Sequence, residues 1–327
     1  MSIETTVPLA VFHDQRADLH DTGPGHPERP ERLPAVVSAA RAYCRHLHHP
    51  SQTGWDSQIR VLEAVRAVHA ASYIDRLQHS CAAHKNYIDV PDSAICPDSF
   101  EAAVASAACG LAAAEAVAVT KSARHAFVAM RPPGHHCEHN RSMGFCLFNN
   151  VAVAACRLLT TPGIERVAIV DFDVHHGNGT QHLFDARDDV LYISTHQHPA
   201  TMYPGTGYGH ETGTPGTAGA GHTLNIPLDP GTGEAEALVA YAGPITERLD
   251  AYRPHILLVS AGFDADRRDP LANLRWDSST FERITRLLTE VADRHCEGRI
   301  VSFLEGGYDL HALAEGVTAH LGVLAEG

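Results

Sequence analysis

The chain has 327 residues, 44% hydrophobic and 20% charged, enough apolar material to bury a sizeable core in one large α/β domain or two ordinary ones. Its formal net charge of −14 disfavours nucleic acid as a partner and mildly favours a cationic substrate. No run approaches the roughly 18 consecutive apolar residues of a membrane span, and Met1–Thr6 shows no basic segment leading into an apolar stretch, so neither a spanning helix nor a secretory leader is expected.

In chain order, short apolar runs bounded by turn residues read as buried strands at Val7–His13, His125–Met130, Arg166–Asp173, Val190–His196, His255–Asp264 and Arg299–Glu305. Helix-like stretches alternate with them: Ser99–Thr120, which is Ala-rich, then Asn149–Leu159, Glu234–Tyr252, Ser278–His295 and Leu310–Leu324. The alternation predicts an α/β fold, a central and mostly parallel sheet with helices on both faces. No linker rich in Gly, Ser or Pro separates two halves, so residues 1–327 read as a single domain. The 8 cysteines form no CxxC pair, which argues against a zinc ribbon and fits reduced thiols in a cytoplasmic protein.

In open parallel sheets ligands bind beyond the carboxyl ends of the strands, and the chain's polar clusters fall there. Arg131-Pro132-Pro133-Gly134-His135-His136 follows the second run; a stiff loop presenting paired imidazoles suits proton transfer, although alone it reads as a surface pair. Asp171-Phe172-Asp173-Val174-His175-His176-Gly177-Asn178-Gly179 ends the third. In extended backbone, period-two spacing puts Asp171, Asp173 and His175 on one side. Burying two acids beside an imidazole without a cation is costly, which favours a metal over strand-end polar groups bonding loop amides. Ser260–Asp266 adds Asp264; on its own such a residue is more often a helix cap, but with Asp173 and His175 it completes three ligands and leaves a position open for water. Last, Glu305-Gly306-Gly307-Tyr308 turns sharply and places Tyr308 over the site, where a phenol can donate to an oxyanion; taken singly it is a turn with a packed aromatic.

These motifs, with His26-Pro27-Glu28-Arg29-Pro30, Gly144-Phe145-Cys146, Ser194-Thr195-His196 and Tyr203-Pro204-Gly205-Thr206-Gly207, run in order over nearly the whole chain. The chain thus resembles the histone deacetylase and acetylpolyamine amidohydrolase superfamily, most closely its class II branch. The resemblance implies an arginase-like single α/β domain and one catalytic Zn2+ held by Asp173, His175 and Asp264. It implies His136 as general base, His135 as its electrostatic partner steadied by Asp171, and Tyr308 as oxyanion donor. Phe145 and Tyr203 would wall an acyl-lysine channel lined by the Gly144 backbone, with Leu271 at the gatekeeper position and Ser93 or Asp92 holding the substrate backbone. A structural K+ would use the carbonyls of Asp171, Asp173 and His175 with Ser194 and Thr195; a second would use backbone near Phe184, Arg187 and Val190.

Departures from the family pattern refine this reading. Asn178 stands where class I members carry Asp, Tyr203 replaces the more usual channel Phe, and Tyr308 is not the His of the weakly active class IIa type. The expected substrate is an acyl-lysine peptide or protein, with a small acetylated amine such as an acetylpolyamine as the alternative. A leucine at 271 and a short His84–Asp98 segment favour the former. A binuclear manganese hydrolase would need another carboxylate two residues after His175, where Gly177 sits, and a non-catalytic module would have lost part of the site. No membrane partner is expected, and the sequence leaves the oligomeric state open.

Overall fold

The structure, a computed structural model, describes residues 6–44 and 46–326; Met1–Thr5, on which most of the leader expectation rests, lie outside them. The six apolar runs form parallel strands β1 (Val7–Phe12), β2 (Ala123–Val128), β3 (Val167–Asp171), β4 (Val190–Gln197), β6 (Ile256–Ala261) and β7 (Ile300–Leu304), and a further strand, β5, spans Thr223–Leu228. They make one 7-stranded sheet in the order β1-β2-β7-β6-β3-β4-β5. Every residue of β3, β6 and β7 is buried, which explains why these segments are apolar throughout rather than alternating. The chain lays down β1 and β2, crosses to build β3 to β5, then returns to fill the gap with β6 and β7. The strands flanking that gap end together, and their following loops face one crevice.

Helices cover both sides. α4 (Ser99–Ala118) packs with α5 (Asn150–Leu158) against the sheet, while α9 (Ser278–His295) and α10 (Leu310–Glu326) form the other pair, with α1 (Arg32–Ala40) against α10. Contrary to the expectation of no spanning stretch, α4, with mean hydropathy 1.4 over an 18-residue window, is long and apolar enough to cross a membrane. That window is 89% buried inside the fold, so its apolar surface is spent on the core.

Other differences have local causes. β5 was not expected because it alternates buried with half-exposed residues and carries Pro227; as the last strand of the sheet it tolerates a missing N–H. The single helix expected over Glu234–Tyr252 is broken into α7 (Glu234–Ala240) and α8 (Thr246–Tyr252). Pro244 cannot donate to the helical ladder, and Gly243 leaves it altogether at φ −103°, ψ −108°. Short helices α2 (Gln58–Val65), α3 (Ala71–Ala82) and α6 (Asn178–Phe184) were also unforeseen.

The His26–Pro30 motif has a structural purpose. Glu28, Arg32 and Arg131 are fully buried together. Arg131 grips Glu28 through both Nε and Nη2, while Arg32 donates to Glu28 at 3.1 Å and to the Gly307 carbonyl at 2.7 Å. The cluster pins the loops after β2 and β7 to the start of α1. Burial alone would raise the Glu28 pKa, but the two guanidiniums outweigh it and bring it down to about 2 from an ordinary 4.5. A depressed carboxylate contributes its stability above pH 4.5 and loses it as pH falls towards 2. In urea titrations across that window the wild type is expected to weaken steeply. Glu28→Gln should be destabilised by about 3–5 kcal/mol at neutral pH and show a flatter acid limb; an unchanged acid limb would contradict the assignment.

Candidate metal centre and active site

β3 stops at Asp171, so the segment beyond it is not extended strand and period-two alternation does not govern it. Asp173 and His175 do share a centre, but Asp171 turns aside. Donor atoms of Asp173, His175 and Asp264, all buried, lie within 4.8 Å of one another. His175 Nδ1 is 3.1 Å from Asp173 Oδ1 and 3.2 Å from Asp264 Oδ2. Bonds of about 2.0–2.1 Å in a tetrahedron put ligand atoms roughly 3.3 Å apart, so these spacings suit one small dication without rearrangement. Each acid's other oxygen is occupied: Asp173 Oδ2 accepts from Gly306 N (2.7 Å) and Asp264 Oδ1 from Val174 N (2.9 Å). Such outer contacts aim the ligating oxygens. Gly306 is required by space, because a Cβ there would lie 2.0 Å from Asp264 Oδ2.

The histidine pair lies beside this centre with ring centroids 4.0 Å apart. His135 Nδ1 contacts Asp171 Oδ2 at 3.0 Å, and Tyr192 donates to the same oxygen at 3.1 Å. Burial would strip the proton from His135, but the Asp173 and Asp171 carboxylates outweigh it and hold its pKa well above 6.5. His136 behaves oppositely: burial, then the charge of His135, hold it well below 6.5. Its tautomer follows from a neighbour. The Asn178 amide nitrogen donates to Glu138 Oε1 (3.1 Å), a carboxylate that only accepts, so Oδ1 faces His136 Nδ1 at 2.8 Å. Nδ1 therefore carries the proton and Nε2 is a free base.

Tyr308 is buried, and its phenol pKa is held well above 10 by burial and then by the Asp264 carboxylate, which keeps it a donor. The Arg32 guanidinium sits 5.1 Å over its ring. Tyr308, Phe145, Tyr203, Leu271, the Gly144 backbone and both His136 and His175 line one channel of about 230 Å³. That is below the roughly 300–1,000 Å³ of drug-sized pockets and suits a linear chain. Gly144 (φ +52°) and Phe145 (φ +68°) both adopt left-handed backbone, and a Cβ on Gly144 would fall 2.2 Å from His136 Cδ2. A larger groove of about 870 Å³ between α1, α9 and α10 holds none of these groups, so volume alone does not locate the chemistry.

Of the two rim candidates, Asp92 lines the channel, whereas Ser93 is fully buried and donates to the Asp92 carboxylate at 3.1 Å. Ser194 pairs with Asp171 across β3 and β4, its hydroxyl 2.8 Å from His196 Nδ1, and the Thr195 hydroxyl meets Tyr241 at 3.0 Å. Sequence reasoning missed Met202 in the channel wall and gave no role to Glu305 or Asp269. Glu305 accepts from Gly134 N (2.7 Å), His135 N (3.2 Å) and Ser260 Oγ (3.1 Å), fixing the histidine loop from below. Its place in the Glu-Gly-Gly-Tyr run was the available signal.

A parallel sheet gathering three metal-donor side chains, a histidine pair and a phenol at its carboxyl ends is the architecture of a deacetylase-type amidohydrolase. Residues 26–324 match the family model for the histone deacetylase domain, and the chain belongs to that family. It is 36% identical over 324 residues to a probable deacetylase of Archaeoglobus fulgidus, covering 96% of this chain and 84% of that one. To a histone deacetylase-like amidohydrolase of Pseudomonas aeruginosa it is 38% identical over 319 residues, covering 91% and 81%. The crystal structure of the HDA15 HD domain superposes with a TM-score of 0.87 at 32% identity, over 98% of this chain and 89% of that one.

Proposed function

We propose that the chain is a zinc-dependent deacylase removing acetyl or short acyl groups from lysine side chains. One observation carries this reading: the Asp173, His175 and Asp264 donors converge at a narrow channel that also bears His136 and Tyr308. Two carboxylates and an imidazole are a donor set for Zn2+, which when bound polarises the amide carbonyl and acidifies the attacking water. The chain's own residues do the rest. His136 Nε2 takes the proton from that water and returns it to the departing amine. Tyr308 donates to the carbonyl oxygen as negative charge gathers on it. His135, paired with Asp171, supplies positive charge beside the reacting atoms. Phe145 and Tyr203 pack along the substrate's methylenes, and Asp92 accepts from its backbone N–H at the rim. A structural K+ at the Asp171, Asp173 and His175 carbonyls with Ser194 and Thr195, and another near Phe184, Arg187 and Val190, belong to the same proposal.

Leu271 at the channel supplies no carboxylate for a second ammonium, which favours a peptide lysine over a polyamine. Side-by-side assays of an acetyl-lysine peptide, a longer acyl-lysine peptide and acetylputrescine on the zinc-loaded protein test this. The acetyl peptide is expected to give a kcat/KM at least about tenfold above acetylputrescine, about 1.4 kcal/mol of discrimination. A reversed order would remove lysine and keep amide hydrolysis; inactivity on all of them would remove both.

A further inference from the structure

The loop after β6 carries the metal-ligand candidate Asp264 and reaches the channel at Leu271; the loop after β7 carries Tyr308. Near their starts the two loops are joined by the Phe263 N–H donating to the Gly306 carbonyl at 3.1 Å; further out, one side chain bridges them. Asp269 is only 6% exposed, and its carboxylate is divided between them. Oδ1 accepts the backbone N–H of Leu271 at 2.9 Å, and Oδ2 accepts the backbone N–H of Tyr308 at 2.7 Å. The residue is itself held from behind. Its N–H donates to the Asp266 carbonyl at 2.9 Å, and the buried Asp266 carboxylate accepts from the Arg268 backbone and guanidinium at 2.8–2.9 Å.

We propose that Asp269 is a positioning residue that registers the Tyr308 phenol against the Leu271 wall, so that the depth of the channel and the place of the carbonyl donor are set together. Two N–H groups on separate loops converge on one carboxylate, and only a side chain with two acceptor oxygens satisfies both. Asn offers one oxygen and turns an NH2 group towards the other donor, so Asp269→Asn must release one arm. Release of the Tyr308 arm lets the phenol drift from the reacting carbonyl and lowers kcat. Release of the Leu271 arm loosens the wall and narrows the difference between acetyl and longer acyl chains. Asp269 touches no reacting atom; it acts through the residues it holds. The inference rests on the reading of Tyr308 as carbonyl donor.

The test measures kcat, KM and hydroxamate affinity for wild type, Asp269→Asn, Tyr308→Phe and the double variant, with zinc content and circular dichroism on each. Asp269→Asn is expected to keep zinc and fold, lower kcat about tenfold or more, and cut the acetyl-to-butyryl preference. In the Tyr308→Phe background its effect on kcat should shrink to under about threefold, because residues acting through one another are not additive. A full multiplicative loss on top of Tyr308→Phe, a loss of zinc, or unaltered kcat and acyl preference would overturn the proposal. Should Asp269→Asn not fold, Asp269→Ser with hydroxamate affinity gives the same comparison: weaker binding in the single variant, no further weakening in the double. If Tyr308→Phe itself turns over like wild type, the donor reading fails and this inference with it; if Tyr308→Phe is crippled and Asp269→Asn is not, only the positioning role fails.

Discussion

Asp173→Ala and Asp264→Ala are each expected to lose bound zinc and, with it, all measurable turnover. Each removes one of the three donors proposed to hold the ion, and the survivors would be an imidazole and a single carboxylate. The centre is closely packed, leaving no room for a further side chain at Gly262, where a Cβ would fall 2.1 Å from Asp173 Oδ2. Because each acid also accepts a backbone N–H, from Gly306 or Val174, the Asn variants are the cleaner comparison. Asn can keep the backbone bond through its oxygen while removing the charge that zinc needs. Metal analysis on purified protein should fall from about one zinc per chain to below about a tenth, with near-native circular dichroism for the Asn forms. Stoichiometric zinc in either Ala variant would dissolve the site.

The sequence carried the parts of this molecule whose physics is local. Fully buried strands such as Ile256–Ala261 announce themselves as unbroken apolar runs, and the chemistry-bearing residues cluster where those runs end. What was lost was mixed in character. α3 buries Tyr73, Ile74, Leu77 and Cys81 at helical spacing, but exposed Asp75 and Arg76 between them disguised the pattern. Pro227 hid an edge strand, and Pro244 split what periodicity had joined. The site itself divides along the same line. Groups adjacent in the chain, such as His135 with His136 or Asp173 with His175, could be read directly. The carboxylates that hold them come from far away: Glu28 lies 103 residues from Arg131, and Glu305 lies 171 from Gly134. No spacing rule links such partners. Asp92 and Ser93 are neighbours, and only the hairpin formed by Ile88 and Ser93 decides which of them faces the channel.

Tyr308→Phe is expected to lower kcat by about 10²–10³, the cost of roughly 2.7–4 kcal/mol for losing one oxyanion donor. The substitution isolates the hydroxyl because the ring is fixed by contacts that do not involve it. Arg32 lies over its face, Phe145 meets it edge-on with centroids 5.9 Å apart, and Asp269 holds its backbone N–H. Phe should therefore occupy the same place, and zinc content and thermal stability should follow wild type. The KM for an acetyl-lysine peptide should change little, since the bond strengthens only as the carbonyl oxygen becomes an anion. The direction of the phenol's pKa sharpens the argument. Burial and then the Asp264 carboxylate push it up from 10, which keeps the hydroxyl a proton donor at neutral pH. Single-turnover measurements separate the chemical step from product release. A Phe variant matching wild type in that step would leave the carbonyl oxygen to the metal alone and reduce Tyr308 to a channel wall.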